Sequence, residues 1–183
     1  MTPKEFIKKY QDEIIISTIG TSILPSVKMA QACLETGFGA SFVGPAKNLF
    51  GIKAYGDHTP YWKGDFVESA TGEVFSGVST VINDKFRKYK TVTDSIRDHS
   101  YFLTHLDRYK PVLKAKTPEA QAKALQNCGY ATATHYSDAL IKIINDYNLT
   151  KLDKRKKVMK YVKLSLAVAA LALVILVIYE NVK

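Results

Sequence analysis

The stretch MAQACLETGFGAS, residues 29–41, leaves a folding chain few choices. Ala30, Cys33 and Leu34 recur at helical spacing and form a stripe that must face a core. Gly37 and Gly39 then end the helix and let its backbone approach whatever lies beside it. Glu35 stands at the end of this apolar run, where the pattern asks for another core residue. Phe38 lies next to it, and Gln31 is one turn back on the same face. A carboxyl so placed is partly desolvated, which raises its pKa. A general acid working near neutral pH needs that property. From the pattern alone, a helix-end glutamate bonded to backbone or held in an ion pair reads the same way.

At 183 residues the chain has room for one domain and a modest extra element. Thr2 caps a first helix, with Pro3 in its first turn and Glu5 completing a capping box. This charged N-terminus reads as an amphipathic helix rather than a secretory leader. A second helix spans 26–36, and 44–64, rich in Gly, Pro, Tyr and Asn, reads as irregular. ESATGEVF and VSTVINDKFRKY form a hairpin joined at Ser76-Gly77. Thr93 is expected to cap a third helix reaching Leu106. TPEAQAKALQNCG and HYSDALIKIINDYNL supply a fourth and a fifth. The expected fold class is therefore α+β, mainly α, with one small β-hairpin. Cys33 and Cys128 lie in separate helical contexts and read as buried free thiols. The four histidines are dispersed, so no metal site and no cofactor are expected.

The net charge of +9 is concentrated in one place. Residues 151–163, KLDKRKKVMKYVK, carry seven Lys/Arg against one Asp, leaving only +3 for residues 1–150. Residues 164–179, LSLAVAALALVILVIY, hold no charge and, as a helix, extend about 24 Å. Counted from Val158 with Lys160 and Lys163 snorkelling, the helix reaches about 33 Å, enough for a bilayer core. The expectation is thus a catalytic domain at 1–150, a basic juxtamembrane segment at 151–163, a transmembrane helix at 164–179 and a short tail at 180–183. The basic run reads as a flank drawn to anionic headgroups. No aromatic platform accompanies it, so nucleic acid is not expected as a partner.

MAQACLETGFGAS resembles the AQ-x-x-LESGWG-x-S motif of the bacterial glucosaminidases, glycoside hydrolase family 73. The similarity continues in order through NLFGIKA (48–54), WKG (62–64), KFRKY (85–89), DSIRDHSYFL (94–103) and ALQNCGYAT (124–132). That family includes autolysins, flagellar peptidoglycan hydrolases and phage lysins, cleaves the β-1,4 bond after N-acetylglucosamine in peptidoglycan, and has a two-lobed, lysozyme-like fold. The resemblance implies that Glu35 is the catalytic acid, keeping its proton as glycosidase acids do. It implies a second carboxylate on the hairpin, which falls on Glu73 in ATGEVF, with Glu68 and Asp65 as competitors. GYATATHY resembles the family's GYATDPxY element, so Tyr130 and Tyr136 are expected beside the acid, offering ring faces and hydroxyls to sugar. Ala133-Thr134 replaces Asp-Pro, which puts the loop before Tyr136 in question. Gln31, Phe38 and Trp62 complete the expected substrate contacts; Trp62 reads equally as packing, and Phe50 as core. Arg87 and Tyr89 are expected to hold the hairpin to the helical lobe.

Basic residues before the expected span place the domain on the cytoplasmic side, opposite to peptidoglycan. That conflict points to a viral setting, as a lysin acting after membrane breach or a virion protein in a viral membrane beside capsid or vertex proteins. Insertion in a host cell membrane in the reverse sense is the other resolution. Two further function classes stay open from sequence: a lytic transglycosylase, and an inactive glycan-binding membrane protein.

Overall fold

Helix α2 (Pro25–Thr36) forms the spine of the molecule. Met29, Ala30, Ala32 and Cys33 are fully buried along it. Helices α1 (Pro3–Thr18), α5 (Pro118–Asn127), α6 (Tyr136–Asp146) and α7 (Thr150–Asn181) all pack against it. The fold is that of a computed structural model describing residues 1–41, 44–75 and 78–181; side chains at 73–75, 78–79, 163, 167, 169 and 171–181 are outside the described set.

The helix ends follow local chemistry. Thr2 and Glu5 close the capping box of α1, with bonds of 3.3 and 2.7 Å. α3 (Val92–His105) is capped by Thr91, not by the expected Thr93. The reason is Asp94, which sits three residues after Thr91 and returns the reciprocal bond to its N–H. Thr117 caps α5, with Pro118 in its first turn. α4 (Lys110–Lys114) and single 3₁₀ turns at Gly44–Ala46 and Asp107–Tyr109 complete the helical part.

α2 stops at Gly37, whose φ of +52° lets its N–H reach back to the carbonyls of Cys33 and Leu34. A Cβ on Gly39 would stand 3.2 Å from the Phe6 ring, so this turn must pass close to α1. Between them Phe38 also adopts a left-handed conformation, φ +56°, and its ring packs on Phe6 and Tyr147.

β1 (Phe66–Phe75) and β2 (Val78–Arg87) pair antiparallel, with Phe66 opposite Arg87 and Glu73 opposite Thr80. Val67, Ser69 and Thr71 are half-buried while 66, 68, 70 and 72 are exposed, the alternation of a sheet covered on one face. The expected turn at Ser76-Gly77 lies outside the described residues. A buried knot fixes the hairpin base: Asp98 of α3 accepts from Arg87 Nη1 at 2.8 Å, from Tyr89 at 2.7 Å and from the hydroxyl of Thr59. Arg87 and Tyr89 thus join hairpin to helices. Both cysteines are free.

The C-terminal expectation needs correction. Residues 150–181 are one continuous helix, α7, rather than a basic segment followed by a separate element. Among the described residues no helix is long and apolar enough to cross a membrane. The transmembrane helix at 164–179 is therefore withdrawn. With it go the single-pass localisation, the lipid bilayer as partner, and the topology argument for viral membranes or capsid and vertex proteins. The described side chains of α7 belong mainly to its lysine-rich first half, which docks on protein. Leu152 is fully buried, Asp153 bonds Ser26, and Lys156 bonds the carbonyls of Thr21 and Ile23. The apolar run falls mostly on side chains outside the described set.

Candidate active site

Glu35 occupies the last turn of α2, one turn beyond the buried Gln31. Its side chain is open to solvent on one side, yet protein crowds around the carboxyl. The resulting desolvation pushes its pKa up to about 7, against the opposing effect of a hydrogen bond from Tyr136. Gly51, with φ +60°, brings bare backbone to the other oxygen; a Cβ there would stand 3.9 Å from Oε2.

Tyr136 begins α6 and is 4% exposed. Its hydroxyl donates to Glu35 Oε1 at 3.1 Å and accepts from Gln31 Nε2 at 3.1 Å. The loop before it, where Ala133-Thr134 replaces Asp-Pro, is braced by Gln126. That side chain donates to Thr134 O at 3.0 Å and accepts from Ser137 N at 2.8 Å. Half-buried Tyr130 stacks on Tyr136, ring centres 5.7 Å apart at 24°. Its hydroxyl lies 3.1 Å from His99 Nε2 and 3.4 Å from Phe50 O. Burial holds both phenols well above the usual tyrosine range, so they remain protonated.

Behind them lies a layer that the sequence reading did not single out. His99 is fully buried and stacks on Phe50 at 3.9 Å. Burial, with the Lys28 ammonium nearby, pushes its pKa well down, which keeps it neutral. Lys28 is also fully buried, with its ammonium on Ser17 Oγ, Ile96 O and Ser100 Oγ. The available signal was polar residues at helical spacing within α3: Ser95, Asp98 and His99 recur at i, i+3 and i+4, which marks a buried polar face. Adjacent residues of α3 serve different clusters, Asp98 the hairpin base and His99 the tyrosines.

The cluster thus brings together Glu35, Gln31, Tyr136 and Tyr130. Trp62 belongs to the hairpin-base cluster instead. It is 3% exposed, its Nε1 donates to Asp65 O, and the Arg87 guanidinium lies 4.2 Å over its ring. Phe38 packs behind the helix end, and Phe50 is in the core. Glu73 is placed by register near the far end of the hairpin, and its side chain lies outside the described residues. Glu68 and Asp65 are exposed, with Glu68 opposite Lys85.

A mostly helical domain with a small two-stranded sheet, and a desolvated carboxyl beside two tyrosines, is of the lysozyme-like class. Comparison narrows that class. Residues 13–149 match the glucosaminidase family, described as mannosyl-glycoprotein endo-beta-N-acetylglucosaminidase, and the chain belongs to that family. It is 37% identical over 152 residues to the exo-glucosaminidase LytG of Bacillus subtilis, covering 80% of this chain and 52% of LytG. It is 38% identical over 121 residues to the peptidoglycan hydrolase FlgJ of Escherichia coli, covering 63% of this chain and 37% of FlgJ. The chain therefore spans about half or less of these relatives. Among solved structures it resembles a mutant peptidoglycan hydrolase from Sphingomonas sp. A1, with TM-score 0.72 and 31% identity over 81% of this chain and 96% of the other. The catalytic domain of the autolysin Auto from Listeria monocytogenes is similar, at TM-score 0.68 and 30% identity over 82% and 87% of the respective chains.

Proposed function

We propose that this chain hydrolyses peptidoglycan at the β-1,4 bond after N-acetylglucosamine, with Glu35 as general acid. The observation that carries this reading is the Glu35 carboxyl, raised to a pKa of about 7 and bonded by Tyr136. Family membership supports it, as does the likeness to the exo-glucosaminidase LytG and the peptidoglycan hydrolase FlgJ. Glu35 gives its proton to the glycosidic oxygen as the bond to the anomeric carbon breaks. The leaving sugar departs as an alcohol, and positive charge develops on the remaining ring. Water adds to that carbon and loses a proton, which completes hydrolysis. General acid catalysis of this kind contributes about 10²–10⁴ in rate. Glu73 is proposed as the second carboxylate, taking the proton from water or stabilising the ring cation. Tyr130 and Tyr136 are proposed to line the sugar-binding surface, with Gln31 and Phe38 behind it in buried or packed positions, whereas Trp62 stays with the hairpin base.

Mass analysis of fragments released from purified peptidoglycan tests the reaction. Reducing N-acetylglucosamine ends are expected. Anhydro-sugar ends would instead assign a lytic transglycosylase, and binding to sacculi without turnover an inactive glycan-binding protein.

A further inference from the structure

Gln31 presents a problem that core packing does not explain. It is completely buried, and its Oε1 has no hydrogen-bond partner among the described residues. An unpaired buried amide oxygen is costly, whereas methionine would fill similar volume with no such group. Among the described residues, the one hydrogen bond its side chain makes is from Nε2 to the Tyr136 hydroxyl.

That bond has a direction. Tyr136 owns one proton and gives it to Glu35 Oε1, while its oxygen accepts from Gln31. If Oε1 carried the acid proton and donated to Tyr136, the phenol oxygen would receive two protons and its own would lose the Glu35 acceptor. If Gln31 turned its amide over, its oxygen would draw the phenol proton away from Glu35 and leave a buried –NH₂ unpaired, a worse outcome than an unpaired oxygen. Both alternatives are disfavoured by the present arrangement. The carboxyl is thus left with one oxygen that only accepts and a second, Oε2, that faces Gly51.

We infer that Gln31 is a positioning residue for the acid: by donating to Tyr136 it fixes the phenol as donor to Oε1 and so places the transferable proton on Oε2. The inference rests on the reading of Glu35 as general acid. The groups around the cluster are phenols, Tyr136 from α6, Tyr130 from the segment before it and Tyr109 beyond. Lys28 and His99 stand behind Phe50 and Tyr130. The Glu35 ionisation responds to burial and to Tyr136.

The test is the pH dependence of peptidoglycan hydrolysis by wild type, Gln31→Met, Tyr136→Phe and the double variant. Removing the Gln31 donor weakens the phenol's bond to the carboxylate, so the alkaline limb moves up by about 0.5–1 pH unit. In Gln31→Met the plateau kcat falls about tenfold, with KM changed less than about twofold. The double variant keeps the limb of Tyr136→Phe, because both changes cut one chain. In the wild-type protein, NMR of the Gln31 side-chain N–H protons is expected to follow the Glu35 titration near pH 7, an effect lost in Tyr136→Phe. An alkaline limb in folded Gln31→Met that coincides with wild type, or a Gln31 amide signal flat through that range, overturns the inference. Glu35→Gln separates the two claims: full activity there removes the acid reading itself, whereas inactivity with an unmoved Gln31→Met limb removes only the role of Gln31.

Discussion

Glu35 is held where its charged form is disfavoured, and this has consequences for rate and for stability. In its proposed role as general acid Glu35 acts only when protonated, so activity is expected to decline as pH rises through about 7, the carboxyl's pKa, as read from kcat/KM against pH. Stability runs in the same sense. The folded pKa lies above the unfolded value of about 4.5, so the unfolded chain gives up its proton first as pH rises. Stability is therefore lost between about pH 4.5 and 7, and the deficit is complete above that. Glu35→Gln escapes the deficit: its Tm should exceed wild type at pH 8 and match it near pH 4, as thermal melts would show. The sequence made Glu35 legible because a carboxylate at the end of an apolar stripe breaks a pattern. Gln31 was legible as its neighbour on the same face, but its full burial was not. His99 and Lys28 look ordinary in sequence, and only the reach of Lys28 to α3 and the stacking of His99 on Phe50 place them behind the tyrosines.

At the scale of elements, the helix that carries Glu35 is fastened at its far end by a residue distant in sequence. α2 has no side-chain cap of its own; Leu24 occupies that position. Asp153 of α7 supplies one instead, accepting from Ser26 N at 2.9 Å and from its hydroxyl at 2.7 Å. Asp153→Ala should cost about 0.5–2 kcal/mol in denaturant unfolding, the ordinary worth of a helix cap. The hairpin base depends on a different kind of contact. Asp98 is fully buried and Arg87 is 4% exposed, so removing the carboxylate strands a buried guanidinium. Asp98→Ala should cost about 3–5 kcal/mol by the same measurement. Local capping chemistry marks the starts of α1, α3 and α5 at Thr2, Thr91 and Thr117, and at α3 it is Asp94 that selects Thr91 over Thr93. The Asp153 cap joins residues 127 apart and the Arg87–Asp98 pair joins a strand to a helix, so neither leaves a mark within one element.

For the molecule as a whole, the family match ends at residue 149 while the packing continues. Leu152, Asp153 and Lys156 all bind the body of the fold, and Arg155 bonds Asp12 at 2.7 Å. A chain cut after residue 149 should therefore melt below one cut after residue 160, which scanning calorimetry of the two would measure. The expected boundary at 150 arose from composition, since the lysine run looks like a flank. Composition does not show that one face of that run is already occupied by α1 and α2. The mainly helical fold with one small β-hairpin, by contrast, was readable, because helix caps and a β-rich run leave local marks in the chain. The central claim is that Glu35 performs chemistry on glycan. Its most direct test is the release of reducing ends from purified peptidoglycan by the full chain and by Glu35→Gln, side by side at pH 6. Wild type is expected to release ends steadily and the folded variant to lose at least about 10²-fold; equal release by both would contradict the role of Glu35 as acid.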